Sequence, residues 1–116
     1  MFDFEKLEVY QIAKVLVVDT LKTIYAGNSI DPYIRDQWRR ASMNILLHLS
    51  DSTGRMNAAD KKHYITSARS SVFECVAILE VLSQLGHIPL AEAQGYYERY
   101  ETVSKMLLGM FRSHGE

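Results

Sequence analysis

Apolar residues recur every three to four positions along most of this 116-residue chain. Such spacing places them on one face of an amphipathic α-helix, and almost no sustained alternation of apolar and polar residues competes with it. Four segments carry the pattern, which predicts helices near residues 3–26, 31–52, 57–86 and 89–112. Because long helices joined by short connections lie antiparallel, we expect one all-α domain over residues 1–116, an antiparallel up-down-up-down four-helix bundle.

Turn-forming residues mark three breaks between these helices, at residues 27–29, at residues 52–54 and at Gly86. Asp31 and Pro32 predict the start of the second helix, because aspartate caps the free N–H groups of a first turn and proline suits its first position. Asn57 is the predicted cap of the third helix. Glycine just beyond a helix end is a common stop signal, which predicts that the third helix ends at Gly86.

The apolar stripes are wider than a bundle core requires. In the first segment the predicted core stripe consists of Phe4, Leu7, Ile12, Leu16, Leu21 and Ile24. Further apolar residues lie outside the stripes: Val9, Val15, Val17 and Val18 in the first segment, residues 45–47 in the second, and Phe73, Val76 and Ile78 in the third. A bundle helix needs about three apolar positions in seven. The surplus predicts a second face that meets another subunit, with a heavily buried monomer as the alternative.

The composition and the net charge of the chain narrow the class of protein. Hydrophobic residues make up 47% of the chain, which is typical of a folded domain, and the net charge is −1. That charge argues against a general polyanion binder, although a local basic patch stays open. A single cysteine, the absence of a visible signal peptide and a longest apolar run of only Val15 to Val18 favour a cytoplasmic protein without a membrane partner.

The sequence offers little that could bind a metal. The nearest match to the Glu-x-x-His motif of di-metal bundles is Asp60-Lys61-Lys62-His63, a single copy with the shorter acid at a helix start. An N-terminal acid beside a surface histidine explains it better. The other histidines, His48, His87 and His114, have no ligand spacing.

Catalytic residues are equally hard to find. Cys75 lies in the middle of a helix on the predicted core stripe, where a thiol is buried and inert. His48, Ser50 and Asp51 share one helical turn and point in different directions, so they do not form a triad. We therefore expect no catalytic residue, no cofactor and no metal, and interpret the chain as a non-enzymatic protein.

Basic residues of the second and third helices form the main candidate site. The candidates for nucleic-acid contact are Arg35, Arg39, Arg40, Arg55, Lys61, Lys62 and Arg69. The alternative is a solvated surface in which Asp36, Asp51, Asp60 and Glu74 offset them. Tyr96, Tyr97 and Tyr100 form an aromatic cluster on the fourth helix. Stacking on bases is one interpretation, and packing in the core or at a subunit interface is the more ordinary one.

Three stretches resemble a known family. They are residues 4–13 (FEKLEVYQIA), residues 37–42 (QWRRAS) and residues 64–74, which contain ARSSVFE. In this order they are similar to the four-helix bundle proteins of the 23S rRNA intervening-sequence type, which are related to the accessory variability determinant of diversity-generating retroelements. Arg39, Arg40, Arg69 and Glu74 are the positions that match best.

This resemblance implies a homopentamer with a central channel, so the expected partner is the chain itself. It also implies an alternative function, that of a nucleic-acid-binding accessory protein that contacts RNA or DNA through helices two and three. The chain departs from the family at residues 45–52, where ILLHLSDS replaces a common IPANIAEG. Any role of that segment does not transfer, and the acidic balance differs from that of the basic retroelement relatives.

Overall fold

The computed structural model of the chain describes residues 1–26 and 29–115. A short 3-10 helix, Asp3–Lys6, is followed by four α-helices: α1 (Glu8–Ala26), α2 (Pro32–Gly54), α3 (Ala58–Gln84) and α4 (Leu90–Ser113). No strand occurs in the two described ranges. The all-α class and the four predicted helices are therefore confirmed. Gly27 and Asn28 of the first predicted break lie outside the described residues.

The helices pack side by side into a rod of 44 × 23 × 21 Å. α1 contacts α2 and α4, and α3 likewise contacts α2 and α4, so each helix has two backbone neighbours. The most extensive packing is between α2 and α3, and the least extensive is between α1 and α4. This arrangement is compatible with a four-helix bundle.

The predicted helix caps are in place. The Asp31 carboxylate accepts hydrogen bonds from the backbone N–H groups of Tyr33 at 3.0 Å and Ile34 at 3.2 Å. The Asn57 side chain accepts one from the N–H of Asp60 at 2.8 Å. After α3, Gly86 has a φ of +77°, a left-handed conformation that only glycine adopts without strain. Local hydrogen bonding thus positions three of the helix ends that the sequence predicts.

Two predicted boundaries were wrong. The first helix does not run unbroken from residue 3, because Leu7 is extended (φ −76°, ψ 129°) between the 3-10 helix and α1. This break lets the rings of Phe4 and Tyr10 pack edge to face at 4.8 Å, whereas residues six apart on one helix lie on different faces. The predicted stop at residues 52–54 is also wrong, since α2 continues to Gly54. Hydroxyls of Ser52 and Thr53 donate to carbonyls three residues earlier, at 2.6 and 2.9 Å, and so remain compatible with the helix.

The core stripe of α1 also differs from its prediction. The buried residues of α1 are Val9, Ala13, Leu16, Val17, Thr20 and Ile24. Ile12 is instead exposed, because it lies about a quarter of a turn away from the centre of this inner face.

A directed chain of hydrogen bonds joins three helices inside the core. The indole N–H of Trp38 on α2 donates to the Tyr100 hydroxyl on α4 at 3.1 Å. The Thr20 hydroxyl on α1 donates to the Leu16 carbonyl at 2.9 Å, so the 2.9 Å contact between Tyr100 and Thr20 has the tyrosine as donor. The indole of Trp38 and the hydroxyls of Tyr100 and Thr20 therefore all have hydrogen-bond partners. The chain fixes how α1, α2 and α4 lie relative to one another.

Candidate interaction surfaces

A groove runs between α3 and α4 on the outside of the rod. Its larger part has a volume of about 450 Å³ and is lined by Phe73, Val76 and Ala77 of α3 and by Tyr97 of α4, among others. Phe73 is 55% exposed and Tyr97 is 39% exposed. A smaller part of about 170 Å³ continues from Phe73 to Phe111. The single chain thus leaves two large aromatic rings of this groove in contact with solvent.

Arg69 lies where the two parts of the groove meet. Its Nε donates to the Ser104 hydroxyl at 3.2 Å and to the Ser104 carbonyl at 3.3 Å. Its guanidinium carbon lies 4.9 Å from the centre of the Phe73 ring, a cation–π distance. The arginine therefore holds α3 against α4 and supports the Phe73 ring from one side.

A second apolar surface lies on the outer face of α1. Gln11, Val15, Val18 and Lys22 follow one another at helical spacing, so they form a single outward stripe. Val15 is 57% exposed and Val18 is 42% exposed. Beside the stripe, Ile12 and Val15 line a shallow recess against α4. Because the α3–α4 groove lies on the other side of α4, the chain presents two separate apolar surfaces.

Charge is distributed unevenly along the α3–α4 pair. Residues 58–70 of α3 and residues 105–115 at the end of α4 contain five lysines and arginines and one acid; we call them the basic half. Residues 71–84 and 90–104 contain five acids and one arginine; we call them the acidic half. The contact between Lys62 and Phe111 brings the two basic stretches together. The pair is consequently basic at one end and acidic at the other.

The structure divides the seven predicted nucleic-acid residues into two clusters. Arg35, Arg39 and Arg40 lie early in α2, where Arg35 and Arg39 line a recess with Tyr25 of α1. Arg39 forms an ion pair with Asp36, and Arg40 approaches the same carboxylate at 3.4 Å. The hydrogen bond from Arg39 lowers the pKa of Asp36, and the carboxylate in turn raises the pKa of Arg39. Asp36 therefore offsets the positive charge of Arg39 and Arg40, as expected.

The second cluster lies at the other end of α2 and along α3. Arg55 donates to the Tyr64 hydroxyl at 2.8 Å and lies 4.4 Å above that ring. Lys61 donates to the Thr53 carbonyl at 3.4 Å, and the Lys62 ammonium is 4.6 Å from the centre of the Phe111 ring. Arg69 completes the cluster. Sixteen residues separate Arg39 from Arg55, about 24 Å along a helix, so the clusters form two surfaces.

The remaining candidates for chemistry are structural. Cys75 is buried, as predicted, and burial raises the pKa of its thiol to about 11, which keeps the unreactive protonated form. Tyr96 and Tyr100 are buried as well, and burial raises the pKa of both hydroxyls. These two tyrosines therefore belong to the core, which confirms the packing interpretation for them. Only Tyr97 of the predicted cluster is accessible.

The histidines bring no ligand set together. The ring of His63 packs edge to face on Tyr64 at 5.2 Å, and the Asp60 carboxylate accepts from the Asn57 amide at 3.1 Å. Nδ1 of His48 is buried without a hydrogen-bond partner. Among residues 1–26 and 29–115, no group of three or more histidine, cysteine or acidic side chains is arranged to hold a metal ion. Within the same residues no helix is long and apolar enough to cross a membrane.

The prediction from sequence missed both the groove and the charge polarity. Charges summed over a whole helix come close to zero in α3 and α4, because each of these helices changes sign near its middle. The polarity can be seen only when each helix is divided at the level where Arg69 contacts Ser104. The groove depends on the spacing between two helices and has no local signal.

Comparison with models of known protein families gave a match to this chain. The family model described as 23S rRNA-intervening sequence protein matches residues 5–109. No curated protein matches the chain. The family match covers all four helices almost completely and includes Val15, Val18, Phe73 and Tyr97 of the two apolar surfaces.

Proposed function

The chain belongs to the 23S rRNA-intervening sequence protein family, and from its exposed apolar surfaces we propose that it is a non-enzymatic interaction protein that assembles with copies of itself into a homopentamer. We place it in the cytoplasm, where its single cysteine stays reduced. The family description names no enzymatic activity. We further propose that residues 1–116 form one domain.

Within each subunit we propose antiparallel up-down-up-down topology. Two contacts between α1 and α4 support it, because Thr20 meets Tyr100 whereas Thr23, further along α1, meets Tyr96, which comes earlier in α4. The residue numbers therefore run in opposite directions along the two helices. The contacts between α3 and α4 follow the same order. Lys62 meets Phe111, whereas Arg69, further along α3, meets Ser104, which comes earlier in α4.

The observation that carries the proposal is the exposure of Phe73 and Tyr97 in one groove and of Val15 and Val18 on another face. Burial of apolar surface stabilises by about 25 cal/mol per Å², so such surfaces favour association when a complementary surface is available. A closed ring uses two different surfaces of each subunit, since each copy has a neighbour on either side. Two separate apolar surfaces on one chain fit that requirement.

Light scattering after size-exclusion chromatography tests the proposal. We expect the wild type at micromolar concentration to have a mass several times the 13.3 kDa of one chain. Phe73→Asp places a charge in the groove and should shift the protein toward the monomer. Leu47→Asp is the matched control, because Leu47 is a similarly exposed apolar residue on α2, outside both surfaces. A monomeric wild type, or equal shifts in both variants, would contradict the proposal.

A second candidate function, nucleic-acid binding, is favoured by the basic half of the α3–α4 pair. In a ring the basic halves of all subunits would lie around one axis and add their fields. Binding through phosphate contacts weakens steeply as salt concentration rises. We expect single-stranded RNA to bind at low salt, with affinity reduced more by Lys61→Glu with Lys62→Glu than by Arg39→Glu with Arg40→Glu, whose side chains already contact Asp36. Absent or salt-independent binding to RNA and DNA would exclude this function.

A further inference from the structure

We propose that the outer face of α1 in one copy packs into the α3–α4 groove of the next copy, with both copies pointing in the same direction. This inference rests on the proposed self-association and names the two surfaces that carry it. It concerns the stripe of Gln11, Val15, Val18 and Lys22 and the groove around Phe73 and Tyr97.

The two surfaces lie at the same height along the rod. Thr20 contacts Tyr100, and Arg69 contacts Ser104. Tyr100 is four residues from Ser104, as Phe73 is from Arg69, so Phe73 is level with Tyr100 and hence with Thr20. Val18, two residues from Thr20, is then within about 3 Å of the height of Phe73. Rotation of one copy about an axis parallel to the rod brings these surfaces together without any shift along the axis.

The charges at the ends of the two surfaces are complementary in this orientation. Glu8 lies at the start of α1, within about 1.5 Å of the height of Phe111, against which Lys62 packs. Lys22 lies toward the other end of α1, at the height of the acidic half, which contains Glu80 and Glu101. A neighbour that points the same way therefore places an acid opposite the basic half and a lysine opposite the acidic half. The opposite orientation would pair like charges.

The remaining charges of α1 do not oppose this packing. Asp19 already pairs with Arg99 of the same chain at 2.9 Å. Lys14 is about 100° around the helix from Val15, on the side of α2. The centre of the stripe is therefore apolar. It matches the apolar part of the groove lining, which is formed by Phe73, Val76, Ala77 and Tyr97, whereas Glu80, Glu101 and Lys105 supply the charged part.

Shape separates this packing from a symmetric pairing of two grooves. If the α3–α4 groove met the same groove of a second copy in the opposite orientation, basic and acidic halves would also pair. Two concave surfaces would then face each other and leave a void, which loses the dispersion contacts that a filled interface gains. A helix that presents Val15 and Val18 supplies a convex ridge for the groove, as in ordinary helix packing.

Chemical cross-linking between variants that each carry one added cysteine tests the pairing. Val18→Cys and Phe73→Cys are prepared separately in the full chain and treated with a short bis-maleimide, alone and after mixing under conditions that exchange subunits. Cys75 remains in both as a buried background thiol. Leu47→Cys mixed with Phe73→Cys is the control, and circular dichroism verifies the fold of each variant.

We expect a covalent dimer from the mixture of Val18→Cys and Phe73→Cys, and at most background from either variant alone or from the control mixture. A dimer from Phe73→Cys alone would overturn the proposal in favour of groove-to-groove pairing. No dimer in any sample, from a wild type that is oligomeric by light scattering, would overturn this pairing while leaving self-association intact. A monomeric wild type would reject both.

Discussion

Removal of one hydroxyl from the core tests the hydrogen-bonded chain that joins three helices. Tyr100→Phe keeps the ring and deletes the oxygen that accepts from Trp38 at 3.1 Å and contacts Thr20 at 2.9 Å. Thr20 keeps its bond to the Leu16 carbonyl, so the indole N–H of Trp38 is the buried donor that loses its partner. Trp38 is fully buried, and water cannot replace the lost oxygen without a rearrangement of the core.

The expected cost follows from that unpaired donor. A buried donor left without a partner costs about 1–3 kcal/mol, so we expect Tyr100→Phe to lower the free energy of unfolding by about 2 kcal/mol. For a chain of this length that corresponds to a decrease of roughly 8 °C in Tm. Thr20→Val removes the hydroxyl that contacts Tyr100. The loss of unfolding free energy in the double variant should be smaller than the sum of the two single losses by about 1 kcal/mol.

Urea unfolding monitored by circular dichroism measures these differences. All variants are compared at one protein concentration, because association adds to the apparent stability. Tyr33→Phe is the control, since the Tyr33 side chain is exposed and its loss of a hydroxyl should change stability by less than about 0.5 kcal/mol. If Tyr100→Phe were as stable as that control, the hydrogen-bonded chain would contribute nothing to the fold.

Three further predictions concern the thiol and the helix ends. The pKa of Cys75 is raised from 9.0 to about 11 in the folded chain. The contribution of this thiol to the free energy of unfolding is therefore complete below pH 9 and should be lost as pH rises toward 11, because the unfolded chain ionises first. Cys75→Ala should flatten the decline in unfolding free energy over that range. Asp31→Ala removes the acceptor for two N–H groups of α2 and should lower the unfolding free energy by about 1 kcal/mol, whereas the exposed Asp51→Ala should not. Gly86→Ala introduces a side chain at a φ of +77° and should cost about 1 kcal/mol in the same urea titration, while Gly95→Ala, inside α4 and away from such a turn, should not destabilise.

Helix ends were predictable where their chemistry is local. Asp31, Asn57 and Gly86 act through hydrogen bonds and backbone angles that involve only a few neighbouring residues. Residues 52–54 misled the prediction, because a hydroxyl that favours turns also bonds to the carbonyl three residues earlier within a helix. Which of the two occurs depends on packing against α3.

The core face of α1 shows why apolar pattern alone is an incomplete guide. Ala13 and Thr20 are both fully buried, although one is small and the other polar. Thr20 can be buried because its hydroxyl bonds to Leu16 and Tyr100, and Tyr100 is eighty positions away in the chain. A stripe drawn through the largest apolar residues therefore included Ile12, which is exposed.

The candidate surfaces were predictable only in outline. Surplus apolar residues such as Val15, Val18 and Phe73 could be counted from the sequence, and they are exposed in the structure. Their division into a ridge and a groove depends on which helices are neighbours. The two clusters of basic residues likewise follow from distances along α2 and across to α4, which no spacing in the sequence reveals.

Native mass spectrometry of the wild type counts the subunits that cover these apolar surfaces. We expect one dominant species with a mass five times the 13.3 kDa of one chain, because a ridge and a groove on separate faces close into a ring of defined size. The same species should persist over a range of micromolar concentrations. A spectrum dominated by the single chain, or by a dimer together with oligomers of four or six chains, would contradict the proposed ring.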